Sequence, residues 1–175
     1  MIYEYEGLRP QIDPSAYIHE TAIIIGAVTV GKNCYIGPNV VVHSEFSDSP
    51  IVLSENVALE DAVIVHVGHG GCVIGKNVTV GHAAIVHGLK LCDNSNEGMG
   101  AVVSSNSVVG EYSIVAEGAV VKNGQQIPAG VVVGGTPAAI LREVQERDKI
   151  YWKNNNDFYV NLGRKCKSGL LKRLD

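Results

Sequence analysis

Aliphatic residues recur in this chain every six positions. They fall at Ile12, Ile18, Ile24, Val30, Ile36 and Val42, resume at Leu53, Leu59 and Val65, then at Ile74, Val80 and Val86, and close with Val103, Val109, Val115, Val121, Ile127 and Val133. Small or apolar residues such as Ala22, Val28, Cys34, Val57, Val63, Val78 and Ala84 stand four positions after most of them, and a glycine often follows directly, as at Gly31, Gly37, Gly75 and Gly81. Neither the helical period of about 3.6 nor the strand period of 2 produces this rhythm. A short strand followed by a turn, repeated, does. Three such strands make one triangular coil, so the pattern predicts an all-β solenoid, a parallel β-helix of hexapeptide repeats over residues 1–136.

Composition agrees with a thin aliphatic column. The chain has 175 residues, 46% hydrophobic but only 6% aromatic, so Val and Ile must fill a narrow core. The beat is interrupted by a polar loop at Ser44–Pro50 and a Gly-rich loop at Val67–Val73, and it meets a glutamate, Glu97, where an aliphatic residue is due. A glutamate aimed into the prism is costly unless neutral or hydrogen-bonded, and a local rearrangement of that coil is expected. Thr136-Pro137 reads as the N-cap and N1 of a first helix with Ile140, Leu141 and Val144 on its apolar face. A second helical stretch follows around 145–166, with Val144, Tyr151, Phe158 and Leu162 at near-heptad spacing. Residues 137–175 thus read as a C-terminal extension of α-helices packed on the solenoid.

Net charge is −4, which argues against nucleic acid as a partner. Residues 1–140 carry 5 basic and 13 acidic side chains, and residues 141–175 carry 9 and 5. The basic end is expected to dock on the acidic solenoid. No apolar run reaches membrane-spanning length, so no membrane partner is expected. Met1–Gly7 lacks the apolar core of a secretory signal, and the four cysteines are scattered without a paired motif. Both suggest a cytoplasmic protein with free thiols.

The repeat gives each histidine an address. Val42, Val65 and Val86 occupy the same face in successive coils, and His43, His66 and His87 follow them directly, so the three form an outward column at a spacing of about 4.8 Å. His82 follows Val80 by two residues, across a corner of the triangle, with Asp61 one coil beneath it. His66 and His87 can share a metal ion within one chain, whereas His82 is placed to reach the pair of an adjacent chain. Three imidazoles with an open position suit zinc, iron or cobalt, and such an ion can lower the pKa of water to near neutrality. His69, in the Gly-rich loop, reads as a loop residue near the mouth of the site, and His19 as a surface residue.

The stretch from His66 through VTVGHAAIVHG (78–88) to EGMGAVV (97–103) resembles the gamma-class carbonic anhydrase family, most closely its carnitine-operon and phenylacetate-operon type members. The likeness runs from YEYEGLRP (3–10) through GGTPAAILREV (134–144) to the basic C-terminal segment. It implies a left-handed parallel β-helix, a homotrimer, and a catalytic zinc (iron or cobalt being alternatives) held by His66, His82 and His87 at each subunit interface. It also implies a small-molecule substrate, carbon dioxide, hydrated reversibly by a metal-bound hydroxide. The sequence departs from the family where an Arg-x-Asp pair is usual, having His43, Ser44 and Glu45. It departs again where Asn-x-Gln-Asp is usual, having Ala58, Leu59, Glu60 and Asp61. Glu60 and Asp61 are the nearest candidates for orienting or deprotonating the water, with Glu45 a further acid–base candidate. Two other readings stand beside this one. The first is a hexapeptide-repeat acyltransferase or thioester hydrolase acting on a CoA thioester, with His82 or His87 as general base. The second is a catalytically weak trimeric scaffold that binds metal.

Overall fold

A computed structural model describes residues 1–174. It is a parallel β-solenoid of the left-handed hexapeptide-repeat type, followed by a single helix. Three sheets form the sides of the prism. The first runs from Ile2–Tyr3 to Val120–Val121, the second from Gln11–Ile12 to Gln126–Ile127, and the third from Tyr17–Ile18 to Val131–Gly134. Every third strand pairs in parallel with its successor one coil on. The expected register holds across both loop interruptions: Val42, Val65, Val86 and Val103 are aligned in the first sheet.

The cause is the period itself. In each short strand one side chain points inward and its neighbour points out, as in Ile85–Val86 and Val120–Val121. The inward set, including Ile24, Ile36, Val42, Leu59, Val65, Ile74 and Val80, is completely buried. Each coil therefore covers the aliphatic layer of the one before it.

The corners need left-handed backbone, and asparagine supplies it at one of them. Asn33, Asn56, Asn77 and Asn94 have φ of 55°, 60°, 56° and 58°. Their side chains form a ladder along that edge: Asn33 Nδ2 donates to Asn56 Oδ1 (3.2 Å), Asn56 Nδ2 to Asn77 Oδ1 (2.9 Å), and Asn77 Nδ2 to Asn94 Oδ1 (3.1 Å). Asn tolerates this region better than residues lacking a short polar side chain. Asn56→Ala removes two rungs and leaves a β-carbon in strained backbone, so a loss of about 2–3 kcal/mol is expected in urea or thermal unfolding. A loss below about 0.5 kcal/mol would show the ladder to be incidental.

Two expectations fail at the C-terminal end. Residues 136–144 do not form a helix: Ala139–Glu143 is a strand, antiparallel to Val131–Gly134. The last coil presents unpaired backbone groups along its edge, and this returning strand satisfies them. Ile140 and Leu141 consequently stay exposed. The helix begins at Glu146 and runs to Lys167. Its start is fastened by Asp148, whose carboxylate accepts from the Gln145 N–H (2.8 Å) and pairs with Arg142. The buried face is Asn156, Val160 and Gly163 rather than the near-heptad set, for Tyr151 and Phe158 face outward. The third sheet selects that face: Asn156 Nδ2 donates to Asn56 O (2.9 Å) and Thr79 Oγ1 (3.1 Å), and Gly163 lets the helix close on Tyr17 and Tyr35. The basic end docks on the first coils, Lys167 Nζ donating to Pro14 O (2.5 Å) and Ala16 O (2.9 Å).

Glu97 does not disturb its coil. It pairs in register between Val80 and Val115, is completely buried, and neither carboxyl oxygen has a hydrogen-bond partner among the described residues. Burial pushes its pKa well above the ordinary 4.5, so at neutral pH the group is the neutral acid. Cys72 is also in the core; its thiol is pushed up to about 12, mainly by burial and further by Glu97. Among the described residues all four cysteines are free thiols, and Cys34 occupies the core position its beat predicts.

Candidate metal and acid–base site

The first sheet carries the histidine column on its outer face. His43 is the Cα partner of His66, and His87 follows Val86, which pairs with Val65. The rings are 5.3 Å apart between His43 and His66 and 5.2 Å apart between His66 and His87. His66 Nδ1 stands 3.2 Å from His87 Nε2, and Ser105 Oγ lies 2.9 Å from His87 Nδ1. The two facing nitrogens are separated by roughly the edge of a tetrahedron with metal–nitrogen bonds of about 2.0–2.1 Å, so this pair fits an ion.

Glu45 comes to the column because it opens the polar loop just after the strand Val41–Ser44. The turn is shaped by Ser44, whose buried hydroxyl donates to Ser49 O (2.8 Å), and by Gly26 at φ +78°, where a β-carbon would collide with Ser44 O at 1.9 Å. Glu45 Oε2 is thereby set 3.2 Å from His66 Nε2 and 3.5 Å from His43 Nε2. Desolvation, the largest single influence, works against its charge, but its own backbone N–H and then His43 and His66 together outweigh it and hold the carboxyl below its ordinary value. Glu45 is the carboxylate anion at neutral pH.

His82 stands apart, at the corner after the third-sheet strand Thr79–Val80. Glu60 Oε2 is 3.0 Å from its Nε2 and accepts its backbone N–H at 3.2 Å, while its Nδ1 accepts the Asp61 N–H (3.2 Å) and lies 3.6 Å from Asp61 Oδ2. Tyr159 of the C-terminal helix adds its hydroxyl 3.4 Å from Nε2, and Asn155 donates to Glu60 Oε1 (3.3 Å). Burial, and then Glu60, raise the Tyr159 phenol above its usual range, so it stays protonated. The equivalent positions in the flanking coils are glycines, Gly37 and Gly81. At Gly81 an added β-carbon would press on the Met99 and Glu97 backbone at 2.8 and 2.9 Å. Glu60 is only 5% exposed, so within one chain it holds the His82 ring rather than meeting solvent, whereas Asp61 is exposed.

The structure therefore brings His43, Glu45, His66 and His87 together on one face and His82, Glu60 and Asp61 on another. His69 is exposed and tilts against Phe46, their rings 5.2 Å apart, and His19 caps its own turn through Thr21 (2.9 Å). Tyr159 and Asn155 were missed in the sequence because a partner 77 or 95 positions away leaves no local signal. A separate cleft of about 370 Å³ lies between the helix and the third sheet, lined by Asn96, Tyr112, Ile114, Trp152 and Asn156 among others; no histidine reaches it.

Beside the histidine column runs an aliphatic one. Val41, Ile64, Ile85 and Val102 are in register, with Ile64 and Ile85 each 40% exposed. No helix among the described residues is long and apolar enough to cross a membrane.

Comparison with known proteins agrees with this architecture. Residues 9–44 match the family described as bacterial transferase hexapeptide (six repeats). The chain is 35% identical to the carnitine operon protein CaiE of Salmonella agona over 96% of its own length and 84% of that protein, and 34% identical to CaiE of Escherichia coli K12 over 94% and 83%. Among solved structures it resembles a hexapeptide transferase family protein of Anaplasma phagocytophilum (34% identity, TM-score 0.87, covering 92% of this chain and 95% of that one). It also resembles a putative acetyltransferase of Bacillus cereus (29% identity, TM-score 0.92, covering 95% and 96%). On its repeat, its register and this full-length likeness, the chain belongs to the hexapeptide-repeat family of the carnitine operon protein CaiE.

Proposed function

We propose that the protein is a metal-dependent, carbonic anhydrase-like enzyme that hydrates carbon dioxide as a homotrimer, with His66 and His87 of one chain and His82 of a neighbour as ligands. The observation that carries this reading is the stacked pair, His66 Nδ1 and His87 Nε2 converging at 3.2 Å on an outward face. The exposed aliphatic column beside it is the kind of surface a second copy would cover. When bound, the ion, zinc by its donor set with iron or cobalt as alternatives, supplies Lewis-acid activation of water near neutral pH. The chain's own residues do the rest. Ser105 fixes the His87 ring through Nδ1; Glu60 and Tyr159 hold His82 at Nε2, the atom it would present to an ion, so Asp61, whose Oδ2 lies 3.6 Å from Nδ1, would be the group left to orient that ring. Glu45 and Asp61 are the carboxylates able to accept a proton at the edges of the site. Zinc-loaded protein is expected to accelerate carbon dioxide hydration in a stopped-flow indicator assay, with His82→Ala losing at least about 100-fold in rate. A wild-type rate equal to that of the His82→Ala variant would refute the reading.

A second reading, acyl transfer to or hydrolysis of a CoA thioester, draws on the Glu60–His82 pair, which is the arrangement of an oriented general base. The Bacillus cereus protein's description as a putative acetyltransferase favours it. Release of free thiol from acetyl-CoA, lost in Glu60→Gln, distinguishes this chemistry from hydration. Localisation in the cytoplasm belongs to the same proposal, as the compartment where free thiols persist.

A further inference from the structure

We infer that each chain also carries a divalent-ion site of its own, formed by His43 Nε2, Glu45 Oε2 and His66 Nε2, which takes a first-row transition ion such as zinc without any residue from a neighbour. One ligand atom from each of the three residues lies within 4.8 Å of the other two. The two nitrogen-to-oxygen separations, 3.2 and 3.5 Å, match the edges of a coordination shell whose bonds are about 2.0–2.2 Å long. Two imidazoles and a carboxylate on one side of an ion, with the other positions open, is a donor set that zinc, ferrous iron and cobalt accept. All three side chains are partly buried within the single chain, so the set is partly preformed.

The hydrogen-bond chain beside the set can free a lone pair for a cation. Ser105 Oγ, His87 Nδ1, His87 Nε2 and His66 Nδ1 are linked in series, at 2.9 and 3.2 Å. The series is satisfied with its protons running either way. If His66 Nδ1–H donates to His87 and His87 Nδ1–H donates to Ser105, His66 Nε2 presents a lone pair to the Glu45 carboxylate. In that arrangement two acceptors face each other across 3.2 Å and a cation between them makes the contact favourable; with the protons running the other way, His66 Nε2–H donates to Glu45. A ligating histidine whose other nitrogen is held in this way is oriented and made more basic. Glu45 has no lysine or arginine partner among the described residues, and residues 1–140 carry 13 acidic against 5 basic side chains, so the local field also favours a cation.

The site is distinct from the shared one proposed above. It uses the opposite nitrogen of the His66 ring from the one facing His87 and needs neither His82 nor a trimer; because a neutral imidazole has one lone pair, an ion here and an ion at the shared site compete for His66. The test is equilibrium dialysis of zinc against the full-length His82→Ala protein, in which the shared site is disabled. One zinc per chain is expected, with an affinity that falls at least tenfold when either His43→Ala or Glu45→Gln is added; circular dichroism checks that the solenoid stays folded. No zinc bound by His82→Ala, or an affinity unchanged by both second substitutions, would overturn the inference. Failure of the shared site registers separately, as a hydration rate that His82→Ala leaves unchanged.

Discussion

Glu97→Leu is expected to stabilise the solenoid by about 3 kcal/mol at pH 7, because a buried carboxyl with two unpartnered oxygens gives way to an apolar side chain of similar size between Val80 and Val115. The gain should depend on pH with a definite sign. The folded-state pKa lies well above the ordinary 4.5, so the native chain keeps a proton that the unfolded chain releases. Native stability contributed by Glu97 is therefore complete below about pH 4.5 and is lost as pH rises toward the folded-state value. Thermal midpoints of wild type and variant should diverge from pH 5 to pH 8, the variant pulling ahead. Glu45 and Asp148, whose values are lowered, weaken both proteins alike in acid, so the difference between the two curves isolates Glu97. A constant difference, or a variant less stable at pH 8, would mean that Glu97 is charged or solvated in the native state.

His66→Ala is expected to have the largest functional effect, since this one ring serves both the proposed shared site and the chain's own His43–Glu45–His66 set. Bound zinc should fall below detection and hydration by at least about 10³-fold, the loss of several kcal/mol of metal-derived stabilisation. The fold should survive with a change of no more than about 1 kcal/mol, because the ring projects outward from a strand whose inward residue, Val65, is untouched. Metal analysis, stopped-flow hydration and the thermal midpoint measure the three claims together. A protein that loses its fold along with its metal would show the column to be a structural staple, and one that keeps its zinc would exclude both sites.

The six-residue period determined, by itself, the three sheets, their parallel pairing and the register that stacks His43, His66 and His87. One aliphatic residue per side of a triangle leaves no alternative that buries them all, and a slip of one residue would turn every Val and Ile outward. The same arithmetic put Asp61 under His82 and Glu97 in the core. It did not show that the coil tolerates Glu97 without rearranging, for the cost of a buried carboxyl is met by keeping its proton, which no pattern of letters records. Tertiary structure alone decided the rest. The segment after Pro137 has the local signals of a helix start, yet the open edge of the last coil claims it as a strand. The helix that follows turns Asn156, rather than its near-heptad apolar set, inward because Thr79 and the Asn56 carbonyl offer it hydrogen bonds. Glu60 becomes a support for His82 because the distant helix brings Asn155 onto its carboxylate and Tyr159 onto the ring. Glu45 reaches His66 only through the turn of the Ser44–Pro50 loop. Each of these contacts joins residues that are distant in sequence or separated by an irregular loop, where the repeat has no register to lend, so their geometry exists only once the chain has closed on itself.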